Sequence, residues 1–234
     1  SYLLANVGHE VTALCFPQIP ADNAWCSVMK ETILEDITKK ESIEKITNQP
    51  FDIAIHLVSL DHHDSTKDPN FVNSINVMPV WNLLEAFKIK KTLKRFIYFS
   101  TVQVYGVLSN QVVNESYAPK PLNPYGLTHL LAENIGNMFH ASTQLECVNL
   151  RLSNSYGSPY FKKNNCWWLV VNDLCKTAFT KNRIVLKSDG SAIRDFIHYK
   201  DIFQTISSLI ESELPLNINT FNLSGGISYT IYEL

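Results

Sequence analysis

Short apolar runs alternate along this chain with longer stretches of helical periodicity. "EVTALCF" (Glu10 to Phe16), "RFIYFS" (Arg95 to Ser100) and "LECVNLRL" (Leu145 to Leu152) read as strands. So does "FDIAIHLVS" (Phe51 to Ser59), which is almost unbroken in apolar residues, as a strand covered on both faces should be. Between them, "FVNSINVMPVWNLLEAFKI" (Phe71 to Ile89) predicts one helix running through Pro79, and "PYGLTHLLAENIGNMFHAS" (Pro124 to Ser142) predicts another. Strand and helix in turn predict an α/β fold, a Rossmann-like doubly wound parallel sheet with helices on both faces. Such sheets bind ligands at the carboxyl ends of their strands. The site is therefore expected just after Phe16, Val58, Phe99 and Leu152.

The two ends of the sequence break the pattern. "SYLLANVG" reads as the second half of a helix closed by Gly8, with no strand or glycine-rich turn before it, and "NLSGGISYTIYEL" stops where a new helix is expected to begin. The expectation is a chain without both of its natural ends. After about Ser155 the alternation weakens. "NNCWWLVVNDLCKTAF" predicts a helix, "RIVLKSDG" a strand and turn, and "RDFIHYKDIFQTISSLIES" a short strand leading into a helix. The expected organisation is a dinucleotide-binding domain over residues 1–154 and a smaller, partly interleaved substrate lobe over 155–234, incomplete at its end.

Composition narrows the partners. Hydrophobic residues make up 45% and charged residues 18%, enough for a packed core, and a net charge of −2 gives no pull toward nucleic acid or an acidic membrane. No apolar run is long enough to span a membrane, and the N-terminus lacks the features of a secretory leader. Five cysteines without C-x-x-C spacing fit reduced thiols and a cytoplasmic protein. The cluster "DHHD", Asp61 to Asp64, reads as a solvated loop rather than a set of metal ligands.

The chemistry centres on two segments. The strand of "YFSTVQVYG" (Tyr98 to Gly106) delivers Ser100 and Thr101 to the carboxyl edge of the sheet. In "NPYGLTH", Asn123 is a good N-cap and Pro124 a good first-turn residue, so Tyr125 lies in the first turn and His129, four residues on, shares its face. A phenol there can exchange a proton with a substrate hydroxyl while the Thr101 hydroxyl orients it. A tyrosine titrates near pH 10, so acting as a base requires a positive charge beside it, which His129 supplies only when protonated. Tyr-x-x-x-His alone carries little weight, and Tyr125 by itself reads equally as a helix-start tyrosine packed on a neighbour.

Taken together, "RFIYFSTVQVYG", the "PxxPYGxxH" helix start, "NLRLSNSYGSP" and "RDFIHYKDI" resemble the extended short-chain dehydrogenases/reductases, and more narrowly the nucleotide-sugar epimerases and dehydratases. The resemblance runs in order over nearly the whole chain. It implies a Rossmann domain for NAD or NADP, NAD slightly preferred, and a lobe for a nucleoside-diphosphate sugar. It gives Thr101 and Tyr125 catalytic roles and puts His129 where the family has lysine. It places Asp36, Ile37, Leu57, Val58 and Asn76 at the cofactor, and Asn154 and Arg194 at the sugar nucleotide. A guanidinium such as that of Arg194 suits a diphosphate. From the residues alone, turn and packing roles remain open for Asp36 and Asn76, and an ion pair with Asp195 or Asp201 for Arg194. The family also implies a homodimer through the helices at Phe71 to Ile89 and Tyr125 to Ala141.

Four departures qualify the resemblance. This sequence has no glycine-rich phosphate turn. The strand "EVTALCF" ends with neither an acid for a ribose 2′-hydroxyl nor an arginine for a 2′-phosphate. Val102 and Gln103 stand where dehydratases of the family carry Asp-Glu, which argues against water elimination. His129 replaces the lysine that tunes the tyrosine and holds the nicotinamide ribose. The leading expectation is an NAD(P)-dependent nucleotide-sugar epimerase or ketoreductase whose activity falls as pH rises through the His129 pKa. The other is a catalytically impaired relative acting as a binding or regulatory protein.

Overall fold

The computed structural model describes residues 1–16, 23–108, 112–160, 166–186, 188–213 and 215–234. Its elements are α1 (Tyr2–Asn6), β1 (Thr12–Cys15), α2 (Asn23–Ser27), β2 (Glu31–Leu34), α3 (Lys40–Thr47), β3 (Ile53–His56), α4 (Pro69–Asn76), α5 (Met78–Lys90), β4 (Arg95–Thr101), α6 (Pro124–Ser142), β5 (Glu146–Leu152), β6 (Asn154–Tyr156), α7 (Val170–Lys181), β7 (Ile193–His198), α8 (Tyr199–Glu211), β8 (Thr220–Leu223) and β9 (Ser228–Thr230).

The main sheet is parallel, in the order β3-β4-β5-β8. β1 and β2 form a separate parallel pair, and β6, β7 and β9 a third sheet in which only β9 runs antiparallel. This is the Rossmann-like architecture that the alternation predicts. β4 and β5 are buried along nearly their whole length, which explains why they read as continuous apolar runs. Successive β4 side chains enter opposite cores. Phe96 and Tyr98 pack with Val80, Leu84 and Phe87 of α5 and with Phe139 of α6, whereas Ile97 packs with Val148, Leu150 and Ile206. Leu14 of β1 and Ala54 of β3 border the first of these cores, which places the β1–β2 pair and the main sheet against the same helices.

The structure corrects three sequence expectations. The helix expected over Phe71 to Ile89 is two helices, interrupted at Val77 (φ −116°, ψ −55°). Pro79 has no N–H to bond the carbonyl four residues back, and its ring crowds that carbonyl, so the chain restarts as α5 with Pro79 in its first turn. The stretch "RIVLKSDG" forms no strand among its described residues; Ile184 and Val185 are 57% and 58% exposed and have no strand beside them. Of "NNCWWLVVNDLCKTAF", Asn164 and Asn165 lie outside the described residues, and the helix proper begins only at Val170, after Leu169 in extended conformation. Conversely, "TFNL", which carried no prediction, supplies β8 and extends the main sheet beyond β5.

Candidate active site

The carboxyl end of β4 and the start of α6 are clamped together. Thr101 closes β4, and its hydroxyl accepts from the Gln103 N–H (3.2 Å), starting a 3-10 turn over Val102–Tyr105. Asn123 caps α6 as its sequence predicts, its Oδ1 accepting from the Gly126 N–H at 2.7 Å. The Asn123 amide also donates to Gln103 Oε1 (3.1 Å), tying the helix start to that turn. The two segments approach so closely that a Cβ on Gly126 would lie 2.6 Å from the Gln103 carbonyl oxygen, so only glycine fits there. The clamp sets the Thr101 side chain beside the Tyr125 phenol, where it acts to lower the phenol's pKa. These two residues therefore lie beside each other at the carboxyl end of β4.

His129 joins them with a different character from the one expected. Its ring lies edge-on to Tyr125, with centroids 4.5 Å apart, and its Nδ1 is 2.7 Å from the Tyr98 hydroxyl. It is only 2% exposed. Burial, with a smaller push from His56, lowers its pKa to about 4, so it is neutral at neutral pH. Burial thus favours a neutral ring beside Tyr125, where the sequence reading looks for an imidazolium. Burial raises the Tyr125 pKa, the Thr101 hydrogen bond pulls it down and the Asp61 carboxylate pushes it up. At rest Tyr125 is a phenol.

Asp61 belongs to the loop after β3. Its Oδ1 accepts from the backbone of His63 (2.9 Å) and Asp64 (2.8 Å), and the Asp64 bond is the main reason its pKa is lowered. In the same loop, the His62 ring packs at a tilt against His63 (4.0 Å) and Trp168 (5.2 Å), so "DHHD" packs against the segment that leads into α7.

The other predicted residues divide by place. Leu57 and Val58 follow β3 and are 64% and 36% exposed, an open apolar shelf at the carboxyl edge. Asp36 caps its own turn, accepting from the Thr38 N–H (2.9 Å) and hydroxyl (2.7 Å), so the turn role left open by the sequence is realised. Ile37 beside it is buried in the main core, which leaves only its backbone for any ligand. Asn76 is fully buried. Its Oδ1 accepts from the Leu60 N–H (2.7 Å), and its amide donates to Thr128 (3.0 Å) and Ser65 (3.4 Å). It thereby joins the loop after β3 to the first turns of α6, a positioning role. Asn154 and Arg194 lie on the paired strands β6 and β7. The Asn154 amide donates to the Asp195 carbonyl (2.9 Å). Arg194 is exposed, donating to the Ile193 carbonyl (2.7 Å), and the Asp195 carboxylate is taken by Ser153, Gly225 and Gly226 rather than by Arg194.

Sequence reasoning passed over Tyr98, His56, Asp61 and Glu133. Tyr98 and His56 are register partners on β4 and β3, a relation that no local pattern states. Glu133 lies one turn beyond His129 on α6. It is 1% exposed and holds Arg151 of β5 (2.7 Å) and Ser100 of β4 (2.5 Å), locking α6 over the strand ends. Its signal was an acidic residue on the buried side of the helix, four positions from His129.

Comparison with known proteins gives a consistent picture. The model of the NAD dependent epimerase/dehydratase family matches residues 2–223. Among curated proteins, UDP-glucose 4-epimerase of Mycoplasma genitalium is 30% identical over 186 residues, covering 73% of this chain and 54% of its own length. Putative UDP-glucose 4-epimerase of Methanocaldococcus jannaschii is 26% identical, covering 74% of this chain and 56% of its own. The chain spans about half the length of these curated relatives. Among solved structures, UDP-glucuronic acid 4-epimerase from Bacillus cereus in complex with NAD superposes with a TM-score of 0.78 at 25% identity, covering 98% of this chain and 74% of that one. UDP-glucose 4-epimerase from Thermotoga maritima with UDP-glucose gives a TM-score of 0.82 at 23% identity, covering 99% and 74%, a likeness of fold.

Proposed function

Because the chain belongs to the NAD-dependent epimerase/dehydratase family, we propose that it acts on the sugar of a nucleoside-diphosphate sugar as an NAD(P)-dependent epimerase or ketoreductase, with Tyr125 as the proton-transferring group. The observation that carries this reading is the clamp of α6 onto the turn after β4, through Asn123, Gly126 and Gln103, which sets Tyr125 beside Thr101 at the carboxyl end of β4. The phenol gives its proton to a sugar oxygen, and the Thr101 hydroxyl holds that oxygen and the phenol in line. His129 contributes a polar edge without charge.

NAD is the cofactor of this reading, and NADP its competitor. The residues fit the nicotinamide end: the exposed Leu57 and Val58 shelf would support the ring, and the unpartnered, buried His129 Nε2 offers a polar atom near Tyr125. Asp36 and the Ile37 backbone would face the adenine end. No residue of this sequence is assigned to the pyrophosphate. Bound there, the nicotinamide supplies or takes a hydride. Asn154 and Arg194, in the smaller lobe of residues 155–234 and at its border, would hold the sugar nucleotide. Helices α4 to α6 expose Phe71, Met78, Trp81, Leu127, Leu131 and Met138, an apolar surface that supports a homodimer. Among the described residues no helix is long and apolar enough to cross a membrane, and the five cysteines are free thiols, in keeping with a cytoplasmic protein.

The test is titration of NAD⁺ and NADP⁺ by calorimetry, followed by turnover of UDP-glucose and UDP-glucuronic acid by the wild type and Tyr125→Phe. Substitution should reduce turnover about 10²–10⁴-fold while sugar-nucleotide binding is retained. Equal turnover by Tyr125→Phe would overturn the assignment. A second reading, a binding or regulatory protein with impaired catalysis, draws on the neutrality of His129, which leaves Tyr125 without a neighbouring cation. Failure to bind either dinucleotide would favour it.

A further inference from the structure

Asp195 joins segments that the chain order keeps apart. Its Oδ1 accepts from the Ser153 hydroxyl (2.6 Å) and the Gly225 N–H (2.8 Å), and its Oδ2 accepts from the Gly226 N–H (2.9 Å). Its backbone carbonyl accepts from the Asn154 amide (2.9 Å). Ser153 follows β5 and the two glycines follow β8, and these strands end side by side, with Leu152 opposite Leu223. Asp195 itself lies on β7, in another sheet, between β6 and β9. One half-buried carboxylate therefore fastens the carboxyl edge of the main sheet to the β6–β7–β9 sheet.

The fastening suits an anion. Two successive backbone N–H groups close on the two oxygens of one carboxylate, an arrangement that favours negative charge, and bonds to an ionised acceptor are the stronger kind. Glycine is required at the contact: a Cβ on Gly225 would run into the Phe196 carbonyl oxygen, and Gly226 has φ +81°. The three donors to the carboxylate are uncharged. Side chains alternate across a strand, so while the Asp195 carboxylate turns to the main sheet, the Arg194 guanidinium leaves by the other face, exposed and bonded to the Ile193 carbonyl (2.7 Å). The guanidinium is thus not neutralised by the acid next to it in sequence.

We propose that Asp195 is the positioning residue of the anion-binding end of the site: it touches no ligand, and by tying β7 to the loops after β5 and β8 it fixes Arg194 where the guanidinium can meet the diphosphate of a sugar nucleotide. The consequence for binding rests on the proposed sugar-nucleotide reading of Arg194; the fastening does not. Positioning and plain electrostatics predict opposite signs. A carboxylate near a diphosphate repels it, so if Asp195 were a mere neighbour its neutralisation would strengthen binding. As a positioning group its neutralisation weakens binding, because Arg194 must then be ordered by the ligand itself.

The test titrates UDP, as the diphosphate probe, by calorimetry into the full chain as wild type, Asp195→Asn, Ser153→Ala, Arg194→Ala and the double variant Arg194→Ala/Asp195→Asn. Amide hydrogen exchange of Gly225 and Gly226 is followed in each. Asparagine has to turn an N–H₂ group toward one of the donors, so in Asp195→Asn the glycine amides should exchange faster. UDP should bind that variant about tenfold more weakly, the loss of one hydrogen bond. With Arg194→Ala already present, the same change should leave UDP binding within about twofold, since the effect runs through Arg194. UDP binding to Asp195→Asn as tight as wild type or tighter, or a tenfold loss that persists without Arg194, overturns the positioning role. Unchanged amide exchange overturns the fastening. Ser153→Ala keeps the carboxylate and removes one donor, so it should show the same pattern at about threefold, and it decides the question if Asp195→Asn does not fold. If the wild type binds no UDP, or Arg194→Ala binds it as tightly as wild type, the sugar-nucleotide reading fails by itself, and amide exchange alone then upholds or overturns the fastening.

Discussion

Replacing Glu133 by glutamine should destabilise the protein more than any other single neutralisation in the candidate site. Its carboxylate accepts four hydrogen bonds: Arg151 Nε to Oε1 (3.0 Å) and Oε2 (3.2 Å), Arg151 Nη2 to Oε2 (2.7 Å), and Ser100 Oγ to Oε1 (2.5 Å). Arg151 is itself 6% exposed, bonded to the Tyr105 hydroxyl (2.8 Å) and stacked over the Tyr105 ring at 4.8 Å. Removing the negative charge leaves a guanidinium buried without its counter-ion, which costs about 3–5 kcal/mol. For a chain of this size that corresponds to a fall in Tm of roughly 6–20 °C. The assay is thermal and urea unfolding followed by circular dichroism for wild type, Glu133→Gln, Arg151→Met and the double variant Glu133→Leu/Arg151→Met. The double variant removes both charges and fills the space with apolar atoms, so it should recover most of the loss. A Tm for Glu133→Gln within 3 °C of wild type, or a double variant as damaged as the two singles added together, would refute the argument.

Other measurements follow from the same geometry. His56 and His129 have pKa values lowered to about 4 from 6.5, so the unfolded chain binds protons that the folded chain refuses; stability is complete above pH 6.5 and should fall between pH 6.5 and 4.5 by up to about 3 kcal/mol per ring. Urea unfolding that is flat over that window would contradict it. For activity the same values predict no histidine-linked loss between pH 6 and 8, and a decline centred near 6.5 would restore the imidazolium reading. His129→Lys should lower the Tyr125 pKa, seen as tyrosinate absorbance emerging at lower pH, and should raise turnover at alkaline pH; an unchanged tyrosine titration would show that position 129 does not reach the phenol electrostatically. Leu131→Asp, on the exposed apolar face of α6, should convert a dimer to monomer in sedimentation with little loss of helix content, and an unaltered sedimentation coefficient would move the interface elsewhere.

What could be read from the chain alone follows a physical divide. Strands buried on both faces announce themselves by composition, which is why β4 and β5 were legible. The Asn123 cap and the i, i+4 relation of Tyr125 and His129 are local, and the structure keeps both. The break at Val77 was local as well, but the apolar pattern continues through Pro79 and hid it. β8 was invisible because its strand character comes from pairing with β5, some seventy positions away. The protonation state of His129 depends on burial and on His56, neither of which a spacing rule contains. Asp36 and Asn76 resembled ligand groups by position, yet their polar atoms serve the fold first.

The electrostatic balance at Tyr125 bears on which direction of reaction the site favours. A phenol at its ordinary pKa of 10.0 costs about 4 kcal/mol to ionise at pH 7. Tyr125, pushed higher by burial and by Asp61, costs more, and the Thr101 hydrogen bond offsets only part of that. Taking a proton from a sugar hydroxyl begins with tyrosinate and carries this penalty in full. Giving a proton to a developing alkoxide begins with the phenol, which is the resting state, and carries none of it. A lysine at position 129 would bring the two directions closer together, because its charge stabilises the tyrosinate; a neutral histidine held by Tyr98 does not. Proton donation, the first step of keto-sugar reduction, is therefore the less costly direction at pH 7 for either of the two proposed reactions. Single-turnover rates measured separately for keto-sugar reduction and hydroxyl oxidation decide the point: reduction should be the faster at pH 7, with the gap narrowing as pH rises. Equal rates at pH 7 would mean that substrate or cofactor charge, rather than the residues around Tyr125, sets its ionisation.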